Sequence, residues 1–379
     1  MRKLALSVAG ASLLMGASFA SAQELPDPTL FCGDLSEADC TLFVQSSTTA
    51  PNSATSEFSF NINVTGLEEQ VPFPFDFTIT GSTAYSGGQA LQALTDTYAS
   101  MASAEEIDLG PILQTFLTDF DGSLNLTLTV PQQLVGMLMP GLPNVITLDL
   151  AMVDGVGYIN FDELQSLGML PPSLTGWAGI DFAQAFNEAY AEDPTQFTTS
   201  VDEVTGASGM SMNMDTTGMD PAEMEALINQ VVPYVTVTRT DDGTGDVATF
   251  LTDLDFAGMF SSDAFFNMVM EQQEAQGGEE LTEAQMAEAR AMMQNVFANS
   301  SLTYVTSVGI ADGVTRSVEF SLLFDLTTLS EQMDGAAPVV AINLTSNTTD
   351  VDSTTVTAPA GATVYTTEEF QALLSGGSN

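Results

Sequence analysis

The stretch FSFNINV at residues 58–64 sets Phe58, Phe60, Ile62 and Val64 against Ser59, Asn61 and Asn63. Alternation of this kind sends successive side chains to opposite faces of a strand, leaving one face apolar and the other wetted. The same period of two returns in FTITGSTAY (77–85), LNLTLTV (124–130) and ITLDLAMV (146–153), which read as half-buried antiparallel strands. Three Asp-Gly signals, in VDGVGY (153–158), TDDGTGD (240–246) and ADGVTR (311–316), stand between alternating runs and mark chain reversals. VVAINLTSN (339–347) and TTVTAPAGA (354–362) supply the expected closing strands.

Helical spacing occupies the gaps: 183–192, 220–232, 263–276, 281–299 and a short C-terminal stretch at 368–374. Asp220-Pro221 with Glu223 gives the second of these a start signal, and Thr282 with Gln285 forms a capping box for the fourth. Roughly ten strands and five or six helices joined by hairpins predict an α+β fold with a large antiparallel sheet. No Gly/Ser/Pro linker divides the chain, so residues 58–379 read as one enlarged domain with a helical insert near 255–300, preceded by a polar segment at 23–57.

Residues 1–22 pair Arg2 and Lys3 with an apolar run and end in Ala20-Ser21-Ala22, the pattern of a secretory signal cleaved near Ala22. The apolar run is too diluted by Gly10, Ser12, Gly16 and Ser18 to anchor a chain in a membrane. The expected location is secreted, periplasmic or at the cell surface, and the protein is not expected to be integral to a membrane. Cleavage leaves Arg239, Arg290 and Arg316 as the only basic residues against 50 acids. Such a field repels phosphate backbones, so nucleic-acid binding is excluded, while divalent cations would gather only loosely. Cys32 and Cys40, the two cysteines, lack the C-x-x-C redox spacing and further zinc ligands, and are expected to form a structural disulfide.

Catalysis is bounded by what is missing. With no histidine, and no lysine beyond Lys3, His-dependent and Lys-dependent nucleophile systems are ruled out, and no phosphate-binding or dinucleotide motif is present. No enzyme activity and no cofactor are expected. DDGTGD (241–246) and TDFDGS (118–123) bunch aspartates around glycine but do not complete a calcium loop, and turn chemistry accounts for both. Asn63, Asn125, Asn299, Asn343 and Asn347 sit in N-x-[ST] triplets, of consequence only in a host that glycosylates.

The candidate binding residues are apolar. Met210, Met212 and Met214 alternate onto one strand face; thioethers suit Cu(I), but without histidine or a free thiol cluster an apolar cavity wall or plain core is the preferred reading. QQLVGMLMPGLPNVI (132–146) concentrates Leu134, Met137 and Leu138 between glycines and prolines able to hinge, as core or as a lid. Trp177, in LTGWAGID (174–181), is either packing or a ligand platform.

LDLAMVDGVGYINFDELQSLG (148–168), the Trp-bearing LTGWAGID and INLTSNTTDVDSTTVTAPAGATVY (342–365) together resemble the LolA/LppX-type periplasmic lipoprotein-carrier superfamily. The resemblance implies a large, strongly curved antiparallel sheet, an incomplete barrel, with helices packed on its concave face around an apolar cavity, and a lipid or other apolar small molecule as partner. Lipidated relatives carry a cysteine at the mature N-terminus, whereas SASAQE here has none. Two functions follow as expectations: a non-enzymatic protein binding an apolar ligand, or a structural or adhesive envelope protein whose core is filled by its own side chains.

Overall fold

The computed structural model describes residues 28–67, 75–90, 92–93, 106–138, 143–168, 170, 174–200, 228–275, 282–329 and 337–374. Its frame is a twelve-stranded sheet that does not close into a barrel. The strands are β1 (Ser53–Thr65), β2 (Phe75–Ser86), β3 (Glu106–Asp108), β4 (Asp121–Thr129), β5 (Val145–Val153), β6 (Val156–Asn160), β7 (Trp177–Asp181), β8 (Thr198–Ser200), β9 (Val235–Arg239), β10 (Val247–Leu254), β11 (Ser301–Gly309), β12 (Thr315–Asp325), β13 (Val339–Thr349) and β14 (Thr363–Tyr365). β3 and β8 form a separate two-stranded ribbon. In the large sheet, β1 lies centrally; β2, β4, β5, β6 and β7 step away from it on one side, and β13 back to β9 on the other. The β1–β13 ladder, with Phe60 opposite Leu344, therefore joins the two halves of the chain. Every neighbouring pair in this sheet is antiparallel except β14 with β7.

The helices are α1 (Glu37–Thr48), α2 (Gly110–Asp119), α3 (Gln132–Leu138), α4 (Phe161–Ser166), α5 (Phe182–Glu192), α6 (Phe256–Ser261), α7 (Asp263–Ala275), α8 (Glu283–Phe297) and α9 (Thr367–Leu374). α8 begins with the expected capping box, Thr282 and Gln285 satisfying each other's backbone N–H groups. Asp154-Gly155 makes the two-residue β5–β6 turn with φ of 52° and 74°, a conformation open to Gly and tolerated by Asp. The Gly155 carbonyl then accepts from the backbone N–H groups of Phe182 and Ala183, so the turn also seats the start of α5.

Two segments depart from the sequence reading. Residues 37–48, within the N-terminal segment at 23–57 for which the sequence reading gives no helix, form α1, with Ser36 as its N-cap. Thr41, Val44 and Thr48 give this segment little intrinsic helicity, but Leu42 and Phe43 pack on β9–β11 and the Cys32–Cys40 disulfide, with Cα atoms 5.3 Å apart, ties its first turn. In the other, TTVTAPAGA was expected to be a closing strand, yet strand structure begins only at Thr363. Its upstream backbone groups go elsewhere, Thr354 N donating to Ser53 Oγ, and Val356 is buried against β5 and β6. Pro359 lacks the N–H a ladder needs.

Candidate functional site: an apolar strip on the sheet

The ladders assign each strand residue to a face, because directly paired residues share one. Phe60 pairs with Ile79 and Leu344; these continue to Leu128 and Ile146 on one side and Phe320 and Tyr304 on the other. The next row on the same face runs Leu148, Leu126, Gly81, Phe58, Ser346, Val318, Thr306 and Phe250. Gly81 has no side chain because the Phe58 ring lies across it: a Cβ there would stand 2.6 Å from Phe58 Cζ. The opposite face collects the strand acids Glu57, Asp76, Asp149, Asp253 and Glu319 with asparagines such as Asn61, Asn125 and Asn347. There Asn61 Nδ2 donates to Asp76 at 2.6 Å, and Asn125 bonds Asp149.

Helices cover the apolar face at its ends. α2 and α5 close one end through Phe116, Phe120 and Phe186, packed against Tyr85 and Met152. There burial pushes the Tyr85 hydroxyl up to about 12. α1 covers β9–β11, its Phe43 edge-on to Phe250. α6 and α8 bring Phe256 and Phe297 onto Phe324, with Leu254, Leu302 and Leu322 beside them. Between these clusters, Phe58, Phe60, Ile79, Leu126, Leu128, Ile146, Leu148, Phe320 and Leu344 are each only half-buried and belong to none of the buried clusters. Among the described residues, an apolar strip thus crosses the middle of the sheet outside the clusters that the helices cover at its ends.

The charged groups near it are already paired. Arg239 shares the strip's face on the edge strand β9, and each of its guanidinium nitrogens donates to a carboxylate oxygen: Nε and Nη2 to Asp241 at 2.9 and 2.8 Å, Nη1 to Asp39 at 2.7 Å. The Arg239 hydrogen bonds, with backbone N–H donors from Thr249 and Gly243, hold the Asp241 carboxyl well below the usual carboxylate range. The Ser36 hydroxyl and Arg239 hold Asp39 low as well. In the 241–246 loop, Asp241 and Asp242 therefore serve the turn and the ion pair. Among the described residues no group of three or more His, Cys, Asp or Glu is arranged to hold a metal ion. Among the same residues no helix is long and apolar enough to cross a membrane.

The residues singled out from sequence fall in different places. Met210, Met212 and Met214 lie outside the described residues. Leu134 is half-buried and Met137 is 71% exposed on α3, which Leu138 ends; this helix fills the β4–β5 connection beyond the Leu128–Ile146 pair, at one end of the strip. Trp177 is not on the strip: it pairs with Asn160 on the other face and packs beside Ala151, Tyr158 and Val356. The strip itself comes from strand residues that sequence reading treated only as scaffold; the alternation marked their face, but not that it would be left partly open. No protein-family model matches the chain, and no curated protein is similar to it.

Proposed function

We propose that this protein is a non-enzymatic, exported binding protein that holds an apolar ligand, a lipid in the sense of the LolA/LppX-type carriers, against the central strip of its sheet. One observation carries the reading: the aromatic and aliphatic side chains of the central strands are half-buried and, among the described residues, belong to no buried cluster, whereas Met152, Phe250 and Val308 beneath the helices are buried. Apolar surface left in water costs about 25 cal/mol per Å², and a contiguous apolar patch on a soluble protein generally marks something that covers it. The fold supports the reading by keeping strand carboxylates on the opposite face, so the strip offers no charge to a hydrocarbon chain. α3, with Met137 exposed at the end of the strip, is placed to border an entrance.

Native mass spectrometry of protein purified from an exporting host, paired with organic extraction of the same sample, tests this. The expected result is a mass excess lost on denaturation and an amphiphile recovered in near-stoichiometric amount. An apo mass that does not change when lipid is added would refute the reading and leave the strip as core closed by the chain itself.

A further inference from the structure

We infer that residues 28–48 form a cover over the β9–β11 end of the sheet, and that a dithiol reductant releases it by opening the Cys32–Cys40 disulfide. The cover is the chain's own segment, so it does not depend on the apolar ligand proposed above. What lies beneath it is core: Val237, Ala248, Phe250 and Val308 are each no more than 2% exposed, with Phe31, Leu35, Leu42 and Phe43 packed over them. The cover itself is weakly built. No residue of α1 is buried, and CTLFVQSST (40–48) is poor in strong helix formers. A helix of 12 residues is also too short to persist alone in water. Side chains hold it to the sheet. Among the described residues, the backbone hydrogen bonds of 32–49 close within the segment, as from Cys32 N to the Thr29 carbonyl and from Thr49 N to the Gln45 carbonyl. Arg239 Nη1 donates to Asp39 at 2.7 Å and Thr315 Oγ1 to the Ser46 carbonyl at 3.3 Å, and the rest is apolar contact.

Release strands no charge and breaks no ladder. Arg239 keeps both hydrogen bonds to Asp241, Asp39 keeps the one from the Ser36 hydroxyl, and the β9–β10–β11 pairing does not involve the segment. The disulfide is what makes the cover act as one body. Phe31 precedes Cys32, and Leu42 and Phe43 follow Cys40, so the bond joins two apolar anchors that otherwise dock separately. Linked anchors bind as a bivalent unit; once the link is cut, each leaves alone and re-ordering the freed loop opposes return. Cys32 is buried and Cys40 half-buried, so a thiolate of the reductant attacks the Cys40 sulfur and Cys32 departs as a thiolate. The reductant's second thiol then attacks the mixed disulfide and expels Cys40. Two electrons and two protons pass to the chain, which ends with two thiols, while the dithiol becomes its own disulfide. Release bares Phe250 and Val308 on the face that already carries Tyr304 and Phe320, extending its apolar surface toward β9.

The test is peptide-resolved hydrogen exchange on the purified chain near neutral pH, oxidised and after reduction by dithiothreitol. Reduction is expected to speed exchange of the α1 amides about tenfold or more beyond any change at β1 and β13, because the segment opens without the sheet. Chymotrypsin should then cut after Phe43 about tenfold faster, a bond shielded while the segment is docked. Cys32→Ser with Cys40→Ser should show the released behaviour without reductant and no response to it. Unchanged α1 exchange on reduction would overturn the inference. So would a rise by the same factor in α1, β1 and β13, which would make the disulfide a brace of the whole sheet. A disulfide that dithiothreitol opens only in urea would overturn it as well, since release must be available to the folded chain.

Discussion

If the strip is an open binding face, its phenylalanines should matter less to folding than those under the helices, and Phe60→Ala against Phe250→Ala measures this. Phe250 is 0% exposed and packs edge-on against Phe43 with ring centroids 5.6 Å apart. Removing most of a side chain that buries roughly 150–200 Å², at about 25 cal/mol per Å² and with a cavity left behind, costs about 4 kcal/mol. Phe60 is only partly buried, so its truncation forgoes less of the transfer free energy and opens no closed cavity, costing about 2 kcal/mol. With a urea m-value of about 3 kcal/mol/M, the midpoints of the two variants should differ by about 0.7 M. The assay is urea unfolding followed by Trp177 fluorescence and far-UV circular dichroism, on protein delipidated by extraction. Adding an apolar probe such as Nile red should then widen the gap between parent and Phe60→Ala, since a ligand that binds only the folded state stabilises whichever chain binds it better. Equal midpoint losses for the two variants in the delipidated state would show that Phe60 is core, and the argument from the strip would fail.

Three further perturbations separate the supporting parts. Replacing Cys32 and Cys40 together with Ser opens a loop of eight-residue separation, and the loop-entropy relation gives a loss of about 2.5 kcal/mol, read as a lower Tm that reductant no longer changes. Asp241, held below the usual carboxylate range by Arg239, contributes stability that is complete above about pH 5 and lost as pH falls through the ordinary carboxylate value and below it. Asp241→Asn should therefore lower Tm at pH 7 by about 3 °C and flatten the acid limb of a Tm-against-pH profile; an unchanged limb would show that the ion pair does not govern acid stability. Met137→Asp, at a 71% exposed position, should alter stability by less than about 0.5 kcal/mol yet slow Nile red uptake from phosphatidylcholine vesicles at least threefold. An unchanged uptake rate would remove α3 from the entrance.

What the sequence disclosed followed the reach of each signal. Alternation located the long central strands because a half-buried sheet imposes its period directly on the residues, as at Phe58, Phe60, Ile62 and Val64. Caps located α8 because Thr282 and Gln285 need only each other. α1 was hidden because its stability comes from partners about two hundred residues away: Leu42 and Phe43 on the β10–β11 core, and Asp39 on Arg239. TTVTAPAGA misled for the complementary reason, since its alternation is real but Ser53 and the cluster around Val356 claim the segment first. The site was harder still. A strand reads the same whether its apolar face meets a helix or an incoming ligand, so alternation found the strip's residues without revealing that, among the described residues, the clusters under α1, α2, α5, α6 and α8 would not include them.

An apolar strip of this kind invites self-association, and the chain's charge opposes it. The edge strands are short: β9 spans Val235–Arg239 and β14 spans Thr363–Tyr365, leaving little ladder for another copy to extend. Arg239 on β9 is closed off by two carboxylates, so it cannot pair with the acidic face of a neighbour. The strand carboxylates populate the back of the strip's own sheet, so two copies approaching strip to strip bring like fields together whatever their register. With 50 acids against five bases, that repulsion acts at every orientation but is blind to an uncharged molecule. On the proposed function this charge would act as a filter, opposing copies of the chain, anionic lipids and nucleic acids while setting no electrostatic barrier to an uncharged apolar ligand. If so, raising ionic strength should leave Nile red binding unchanged within twofold while increasing dimer formation by the delipidated protein. Sedimentation velocity at about 10 mM and 1 M salt, where the Debye length falls from about 30 to 3 Å, would detect the second effect, and a monomer unchanged across that range would refute the filter.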